Sequence, residues 1–275
     1  MTRYHFHTTS YLGVSPTCAL LVILLLTLIG SPTLYARDKE GRFIVVIDAG
    51  HGGHDSGAKG KVSYEKNVVL AVSKKVGAKI NELAPQIKVY YSRPDDNFIG
   101  LQDRARFAIK KNADLFVSIH ANASNSHSPS GTETYVLGLH RTEDNLRVAM
   151  KENSAILLED NYSKKYEDFD PTSSESYIIF QFMANKHLEN SLRLAKLVQN
   201  GFKSASRYDR GVRQAGFLVL REAAMPSVLI EIGFITNREE ERYINSRSGQ
   251  TKIANEIAKA VIEYERQIRK RSGKQ

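Results

Sequence analysis

The stretch Ile44-Val-Val-Ile-Asp-Ala-Gly-His-Gly-Gly53 decides the fold of this chain. Its four apolar, mostly β-branched residues predict a buried β-strand. The glycines that follow let the backbone turn sharply just past the strand. The turn would bring His51 to the carboxyl edge of a sheet, where open α/β sheets bind ligands. A single His after a strand is more often structural, so a functional role needs support from elsewhere in the chain.

Two later stretches repeat this arrangement. Phe116-Val-Ser-Ile-His-Ala-Asn122 ends an apolar strand in His120. Val228-Leu-Ile-Glu-Ile-Gly-Phe234 carries Glu231 inside another apolar strand. Three apolar strands, each bearing a metal-binding or acid–base group, indicate one shared site.

A helix predicted from Tyr64 to Leu83 adds a fourth group. Valine and isoleucine recur every fourth residue from Val68 to Ile80, which gives the helix one apolar face. Ser63 is the predicted N-cap, so Glu65 falls in the first turn, near the sheet edge. The alternative for Glu65 is that it only complements the helix dipole.

The available side chains suit zinc. The only cysteine, Cys18, lies in the leader segment described below, so a metal must use His and carboxylate. His51, Glu65 and His120 offer two nitrogens and one oxygen, which leaves a position for the water of a catalytic zinc. Glu231 is then the candidate general base, which takes a proton from water and passes it to a leaving amine.

Other residues compete for these roles. His54 and Asp55 lie in the same loop as His51 and are alternative ligands. Ser118 lacks the glycines of a nucleophile elbow, which argues against serine catalysis. The isolated histidines are predicted to be surface or packing residues: His127, His140 and His187.

The leader segment, residues 1–36, has one charged side chain, Arg3. Its apolar run, Cys18–Ile29, is shorter than the ~17–25 residues that span a bilayer, and it fits the core of a signal peptide. Cleavage after Ala36 would leave a catalytic domain of residues 37–275, exported to the periplasm or cell wall without stable membrane insertion. The alternative is an uncleaved membrane anchor.

The net charge of +9 indicates an anionic partner. No basic cluster interleaved with aromatic residues stands out, so we expect no nucleic-acid binding. An anionic cell-surface polymer fits an exported protein better. A basic surface without a specific partner is the alternative.

The alternation of strands and helices stops in residues 139–186, which we call the insertion. Residues 143–159 are predicted to be helical, and 160–174 to form a polar, mobile loop. One or two helices are predicted over 175–202. The apolar residues of 178–183 would pack the insertion against the catalytic face.

The remaining elements follow from local patterns. Strands are predicted over 42–48, 86–92, 113–119, 132–137, 216–220 and 227–232. Helices are predicted over 98–111, 239–244 and 250–268, with a disordered tail over 269–275. In the first of these helices the basic residues are predicted to be largely solvated: Arg104, Arg106, Lys110 and Lys111.

The chain resembles the zinc-dependent N-acetylmuramoyl-L-alanine amidases of the amidase type-3 family. The matching stretches are IVVIDAGHGGHDSGAKG, YEKNVVLAVSKKV, YYSRPDDNFIGLQDRARFAIKKNADLFVSIHAN, GTETYVLG and MPSVLIEIGFITNREEE, in family order. The resemblance implies a mixed α/β sheet flanked by helices, and cleavage of the amide between N-acetylmuramic acid and L-alanine in peptidoglycan. It carries the zinc ligands onto His51, Glu65 and His120, and the catalytic glutamate onto Glu231.

The resemblance also bears on regulation. Some septal relatives carry a helix that blocks the metal until an activator protein displaces it. A carboxylate of the insertion, Glu152 or Glu159, would play that part here. The alternative is that the insertion only widens the substrate groove.

Two other functions stay open at this stage. Another zinc peptidase or carboxypeptidase acting on cell-wall peptides would use the same chemistry. A non-catalytic wall-binding module would be expected if a ligand or Glu231 were missing.

Overall fold

The computed structural model of the protein describes residues 41–182 and 185–273. The predicted signal peptide lies outside these ranges. In the described residues, no helix combines the length and apolar character needed to cross a membrane.

One mixed sheet of six strands organises the described residues. The strands are β1 (Phe43–Ala49), β2 (Ile87–Tyr91), β3 (Leu115–Asn122), β4 (Thr132–Leu137), β5 (Asp209–Ala215) and β6 (Ser227–Phe234). Their order across the sheet is β2-β1-β3-β6-β4-β5. The first four in this order are parallel, whereas β4 and β5 run antiparallel to β6. Because β1, β3 and β6 are adjacent and parallel, His51, His120 and Glu231 come to one edge.

Helices cover both faces of the sheet. The α-helices are α1 (Glu65–Leu83), α2 (Leu101–Lys110), α3 (Glu143–Asn153), α4 (Tyr162–Lys165), α5 (Ile179–Phe182), α6 (Leu188–Ser204), α7 (Leu218–Arg221), α8 (Arg238–Asn245) and α9 (Arg247–Ser272). Helices α1, α6 and α9 pack together on one face. On the other face, α2, α3 and α7 share a core with the sheet. The mixed α/β sheet with flanking helices is thereby confirmed.

Most predicted elements are confirmed, with ends shifted by a few residues. The apolar face of α1 is buried as predicted, with Val72, Val76 and Ile80 fully excluded from water. The predicted cap of this helix is wrong, however. Tyr64 occupies the N-cap position without a side-chain hydrogen bond, and Ser63 instead donates to Glu241.

The strand predicted over 216–220 is wrong. That segment forms a turn and the short helix α7, because a brief apolar run fits a buried helical turn as well as a strand. The strand that pairs with β4 along its outer edge is β5, which no local sequence pattern predicts. Its residues are mostly polar and half-buried, as expected for a strand at the edge of a sheet.

The predicted solvation of Arg104 is also wrong. Its guanidinium is buried and lies 2.9 Å from the Asp48 carboxylate. It also donates to the carbonyl oxygens of Ala49 at 2.6 Å and His51 at 2.7 Å. Arg104 therefore holds the turn that carries His51.

The insertion contains more regular secondary structure than predicted. The helical stretch continues from α3 into a 3₁₀-helix, Ser154–Leu158. The predicted mobile loop contains α4 and buries Tyr166 and Phe169. A second 3₁₀-helix, Ser174–Ile178, leads into α5. Three buried aromatic residues of the insertion belong to the same hydrophobic core as the sheet: Tyr166, Phe169 and Tyr177.

The predictions for the apolar run 178–183 and for the C-terminal tail are only partly confirmed. Phe180 is buried against Gly216, whereas Ile178 and Ile179 are about half exposed, so only part of the apolar run packs inward. Met183 lies outside the described residues. The predicted disordered tail is wrong up to Ser272, where α9 ends.

Candidate metal centre

The turn after β1 presents His51. This residue has φ of 60°, a left-handed conformation that is uncommon for a side chain other than glycine. Two contacts hold it: Arg104 binds its carbonyl, and the Asp55 carboxylate lies 2.8 Å from its Nδ1. Because Asp55 orients the Nδ1 side of the ring, Nε2 faces the interior of the site.

Glu65 enters the site from the first turn of α1, as the sequence predicts. Its Oε2 accepts a hydrogen bond from Ala58 N at 2.8 Å, and its Oε1 accepts one from Ala121 N at 2.9 Å. These two backbone donors fix the carboxylate between the Gly-rich loop and β3. Burial raises the pKa of Glu65, but the His51 and Lys151 cations outweigh that effect and hold the pKa well below its usual range.

The third group, His120, ends the apolar part of β3. Its Nδ1 lies 3.2 Å from Glu65 Oε1, the same oxygen that lies 3.2 Å from His51 Nε2. A Cβ added at Gly50 would fall 2.3 Å from the His120 ring, so only glycine lets the turn after β1 pass this close. The three predicted ligands therefore converge on one point.

The insertion supplies a fourth group to this point. Glu152, near the end of α3, places its Oε2 3.1 Å from His51 Nε2 and 3.0 Å from His120 Nδ1. One ligand atom from each of His51, Glu65, His120 and Glu152 lies within 4.8 Å of the other three. Glu159, the other candidate from the sequence, does not enter this cluster.

The cluster fits a metal ion by its donor chemistry. Two imidazoles and two carboxylates are ligands that zinc accepts, and all four residues are buried. His51 Nε2 and Glu152 Oε2 are buried and lie 3.1 Å apart, but neither is aligned for a hydrogen bond with any group in the described residues. Buried polar atoms normally have a partner, and a shared cation would satisfy both.

The protonation of the cluster reflects its excess of carboxylates. Burial lowers the pKa of His120, but the Glu152 and Glu65 carboxylates outweigh that effect and raise the pKa to about 9. Lys151 also contributes positive charge, with its Nζ 2.8 Å from Glu152 Oε1 and 3.8 Å from Glu65 Oε2. No pattern in the sequence pointed to Lys151.

Glu231 lies beside the cluster on β6, in register with His120 on β3. It is completely buried, and neither carboxylate oxygen has a hydrogen-bond partner in the described part of the chain. Burial raises the pKa of Glu231 well above its usual range, and the Glu152 carboxylate adds to the rise. A buried carboxyl group of raised pKa, beside a ligand cluster, suits proton transfer.

The competing residues from the sequence have other places. Asp55 orients His51 and is not one of the four converging groups. His54 is exposed and stacks on Phe98, with ring centroids 4.1 Å apart. The hydroxyl of Ser118 donates to the buried carboxylate of Asp48 at 2.7 Å.

Glu159 connects the insertion to helix α2. It accepts hydrogen bonds from Leu101 N at 2.9 Å, Tyr166 Oη at 2.7 Å and Lys165 Nζ at 2.6 Å. Leu101 is the first residue of α2, whose N-cap, Gly100, has no side chain to accept this donor. The insertion therefore caps α2 from outside.

A mixed α/β sheet with a buried His–Glu–His–Glu cluster at the carboxyl edge of its parallel strands defines a hydrolase domain that could hold a metal ion. A sequence model of the N-acetylmuramoyl-L-alanine amidase family matches residues 45–263. The chain belongs to this family and is a peptidoglycan hydrolase.

Similar proteins agree with this assignment. The N-acetylmuramoyl-L-alanine amidase AmiA of Escherichia coli (strain K12) is 35% identical over 233 residues, which cover 83% of this chain and 78% of the relative. The amidase AmiC of Escherichia coli O6:H1 is 35% identical over 237 residues, and the match covers 85% of this chain and 55% of that longer relative.

Solved structures agree with the fold as well. The amidase AmiC2 of Nostoc punctiforme is 30% identical, with a TM-score of 0.60, and the match covers 82% of this chain and 98% of that one. An N-acetylmuramoyl-L-alanine amidase from Clostridium difficile 630 is 32% identical, also with a TM-score of 0.60, and the match covers 81% and 96%. These relatives do not favour the alternative of a different cell-wall peptidase.

Proposed function

We propose that this chain is a zinc-dependent amidase in which His51, Glu65 and His120 hold the metal and Glu231 transfers the proton. The observation that carries the proposal is the convergence of these ligand atoms, within 4.8 Å, on a point beside a fully buried glutamate. Zinc, when bound, lowers the pKa of a bound water to about 7 and polarises a carbonyl oxygen.

The chain's own residues supply the remaining steps. Asp55 fixes the orientation of His51, and the amides of Ala58 and Ala121 fix Glu65, so the site is organised before substrate arrives. Glu231 accepts a proton from the attacking water and donates it to the amine of L-alanine as that amine leaves. In the described conformation, burial keeps Glu231 away from bulk water.

We further propose that the described conformation is a resting state. Glu152 stands where the cluster would otherwise be open, and a metal ion with four protein ligands has no position left for water. An activator protein that pulls α3 away would then open the site. The contacts of Glu159 with α2 would help to hold the insertion closed until that happens.

The leader supports export. The short apolar run followed by Ser31-Pro-Thr-Leu-Tyr-Ala36 fits a cleaved signal peptide and supports export to the peptidoglycan substrate outside the cytoplasm. Sequencing of the N-terminus of the exported protein is expected to give Arg37. An intact Met1 in the membrane fraction would show an anchor instead.

Digestion of purified peptidoglycan tests the activity. Mass spectrometry of the products is expected to show intact stem peptides that begin with a free L-alanine amine. Dialysis against a chelator should abolish their release, and added zinc should restore it. Shortened peptides that remain attached to the glycan would instead indicate a peptidase. Glu231→Gln, prepared in parallel, controls for a contaminating amidase.

A further inference from the structure

The basic residue Arg213 lies on the same face of the sheet as the catalytic centre. On β5 it is in register with Tyr135 of β4, and Tyr135 is in register with Leu229 of β6. Glu133, two residues before Tyr135, is in register with Glu231. Paired residues project from the same face, so Arg213 and Glu231 project from one face of the sheet, two strands apart at ~4.8 Å per strand.

The shortest hydrogen bond of Arg213 goes to an uncharged group, the Asn145 amide. Its Nη1 donates to Asn145 Oδ1 at 2.8 Å, and its Nε donates to the carbonyl of Arg210 at 3.3 Å. The nearest carboxylate, Glu133, is 3.8 Å from Nε and is already bound by the side chain of Arg210. The Arg213 side chain remains 23% exposed.

Helix α3 connects Arg213 to the metal centre. Asn145, Ala149 and Glu152 are buried and spaced at i, i+4 and i+7, so they line one side of the helix. Asn145 meets Arg213, and Glu152 meets the ligand cluster. Seven residues of α-helix span about 10 Å. In the resting state, α3 thus sets one oxygen acceptor at the metal centre and a second about 10 Å away at Arg213.

This spacing matches the substrate of the proposed reaction. An extended peptide advances about 3.3–3.6 Å per residue, so 10 Å corresponds to roughly three residues. We propose that Arg213 is a specificity-determining residue that binds a carboxylate of the stem peptide, two or three residues from the scissile amide, once α3 has left. The inference rests on the proposed amidase function. The carboxylate replaces the Asn145 amide, and guanidinium binds it more strongly because both groups are charged and bidentate pairing becomes available.

Steady-state kinetics with matched substrates test this role. The substrates are N-acetylmuramoyl tripeptides that carry either a carboxylate or its carboxamide at the second or the third residue. Arg213→Gln in the full, zinc-loaded chain is expected to raise KM for the carboxylate substrate by roughly 10–100-fold at one of these positions. Its KM for the matching carboxamide should change little, and any change in its kcat should be the same for both substrates, as in Asn145→Ala, which loses the same hydrogen bond.

Asn145→Ala is the matched control, because it removes the same hydrogen bond from the side of α3 and leaves the guanidinium in place. It should alter carboxylate and carboxamide turnover equally and keep the preference for carboxylate. Arg213→Lys, which keeps the charge and loses bidentate pairing, should retain part of that preference.

If Arg213→Gln behaves like Asn145→Ala, or slows both substrates equally, Arg213 only holds α3 and the inference is wrong. If Arg213→Gln misfolds, Arg213→Lys decides alone, since full retention of the preference would also refute the role. Failure of the zinc-loaded parent chain to cleave any of these substrates, even with Glu152 replaced by Ala, would refute the amidase function itself.

Discussion

The four groups at the metal centre are held in two different ways. His51, Glu65 and His120 belong to the sheet edge and the first turn of α1, and backbone amides or buried side chains fix them. Glu152 belongs to the insertion, which reaches the site only through packing and a few polar contacts. In the proposed mechanism, the domain would therefore keep His51, Glu65 and His120 in place while Glu152 moves away.

Removal of a ligand at the sheet edge should have the largest effect. His51→Ala or His120→Ala is expected to lose the metal and, with it, all measurable turnover. Replacing a residue that only hydrogen-bonds to a ligand typically weakens metal affinity roughly 10–100-fold, and removal of a ligand itself should weaken it more. Metal content measured beside activity checks this. His54→Ala, in the same loop but outside the cluster, is the control and should keep its metal. Normal metal content in both His→Ala variants would mean that the ligands are misassigned.

Glu231→Gln separates chemistry from metal binding. It should keep the zinc and lower kcat by roughly 10²–10⁴-fold, because the amide can neither accept nor return the proton. Zinc analysis and kinetics on the same preparation give the answer. Loss of zinc in this variant would make Glu231 a ligand rather than the base.

Glu152→Ala tests the contribution of the insertion, and its expected effect has the opposite sign. Loss of a charge-assisted contact worth roughly 1.5–3 kcal/mol should favour the open state and raise basal turnover about 10–100-fold, with zinc still bound by three residues. Glu143→Gln, an exposed carboxylate at the other end of α3, should leave turnover unchanged. A folded, zinc-loaded Glu152→Ala protein no faster than its parent would favour an insertion that only shapes the groove.

Glu159→Ala should give the smallest change. It leaves the cluster intact and removes the contact that caps α2, so a gain in basal turnover of about 3–10-fold is expected from roughly 1 kcal/mol of lost closure. Asp160→Ala, its exposed neighbour, is the control. Equal turnover in both variants, at unchanged stability, would show that this contact does not govern access to the metal.

The sheet edge is also the part of the molecule that the sequence predicts best. Its strands are largely apolar and carry a polar group within or just after the run, and parallel packing brings these groups to one edge. The order in which β4 and β5 join the sheet, and the polar strand β5 itself, depend on contacts distant in sequence. No local pattern distinguishes a half-buried edge strand such as Asp209–Ala215 from a loop.

The buried polar residues were the hardest to predict. Arg104 is a charged residue on a helix rich in basic residues, where solvent exposure is expected. Only the fold reveals that its guanidinium donates to the carbonyl oxygens of Ala49 and His51. The choice between Glu152 and Glu159 likewise needed the structure. Seven residues apart, the two would share one face of a continuous α-helix. In the structure α3 ends at Asn153, and Glu159 follows the 3₁₀-helix in an extended conformation and binds the first amide of α2.

The position of Glu152 at the end of α3 affects how tightly the closed protein would retain its metal ion. If closure of the helix adds a ligand, then metal binding and closure strengthen each other by the same factor, because thermodynamic coupling is reciprocal. The partial negative charge at the carboxyl end of α3 acts in the same direction. A dormant enzyme would therefore retain its zinc where the ion is scarce, and each activation event would expose the ion to competing chelators. Depletion of zinc should then inactivate the open, active molecules before the closed, resting molecules lose their metal.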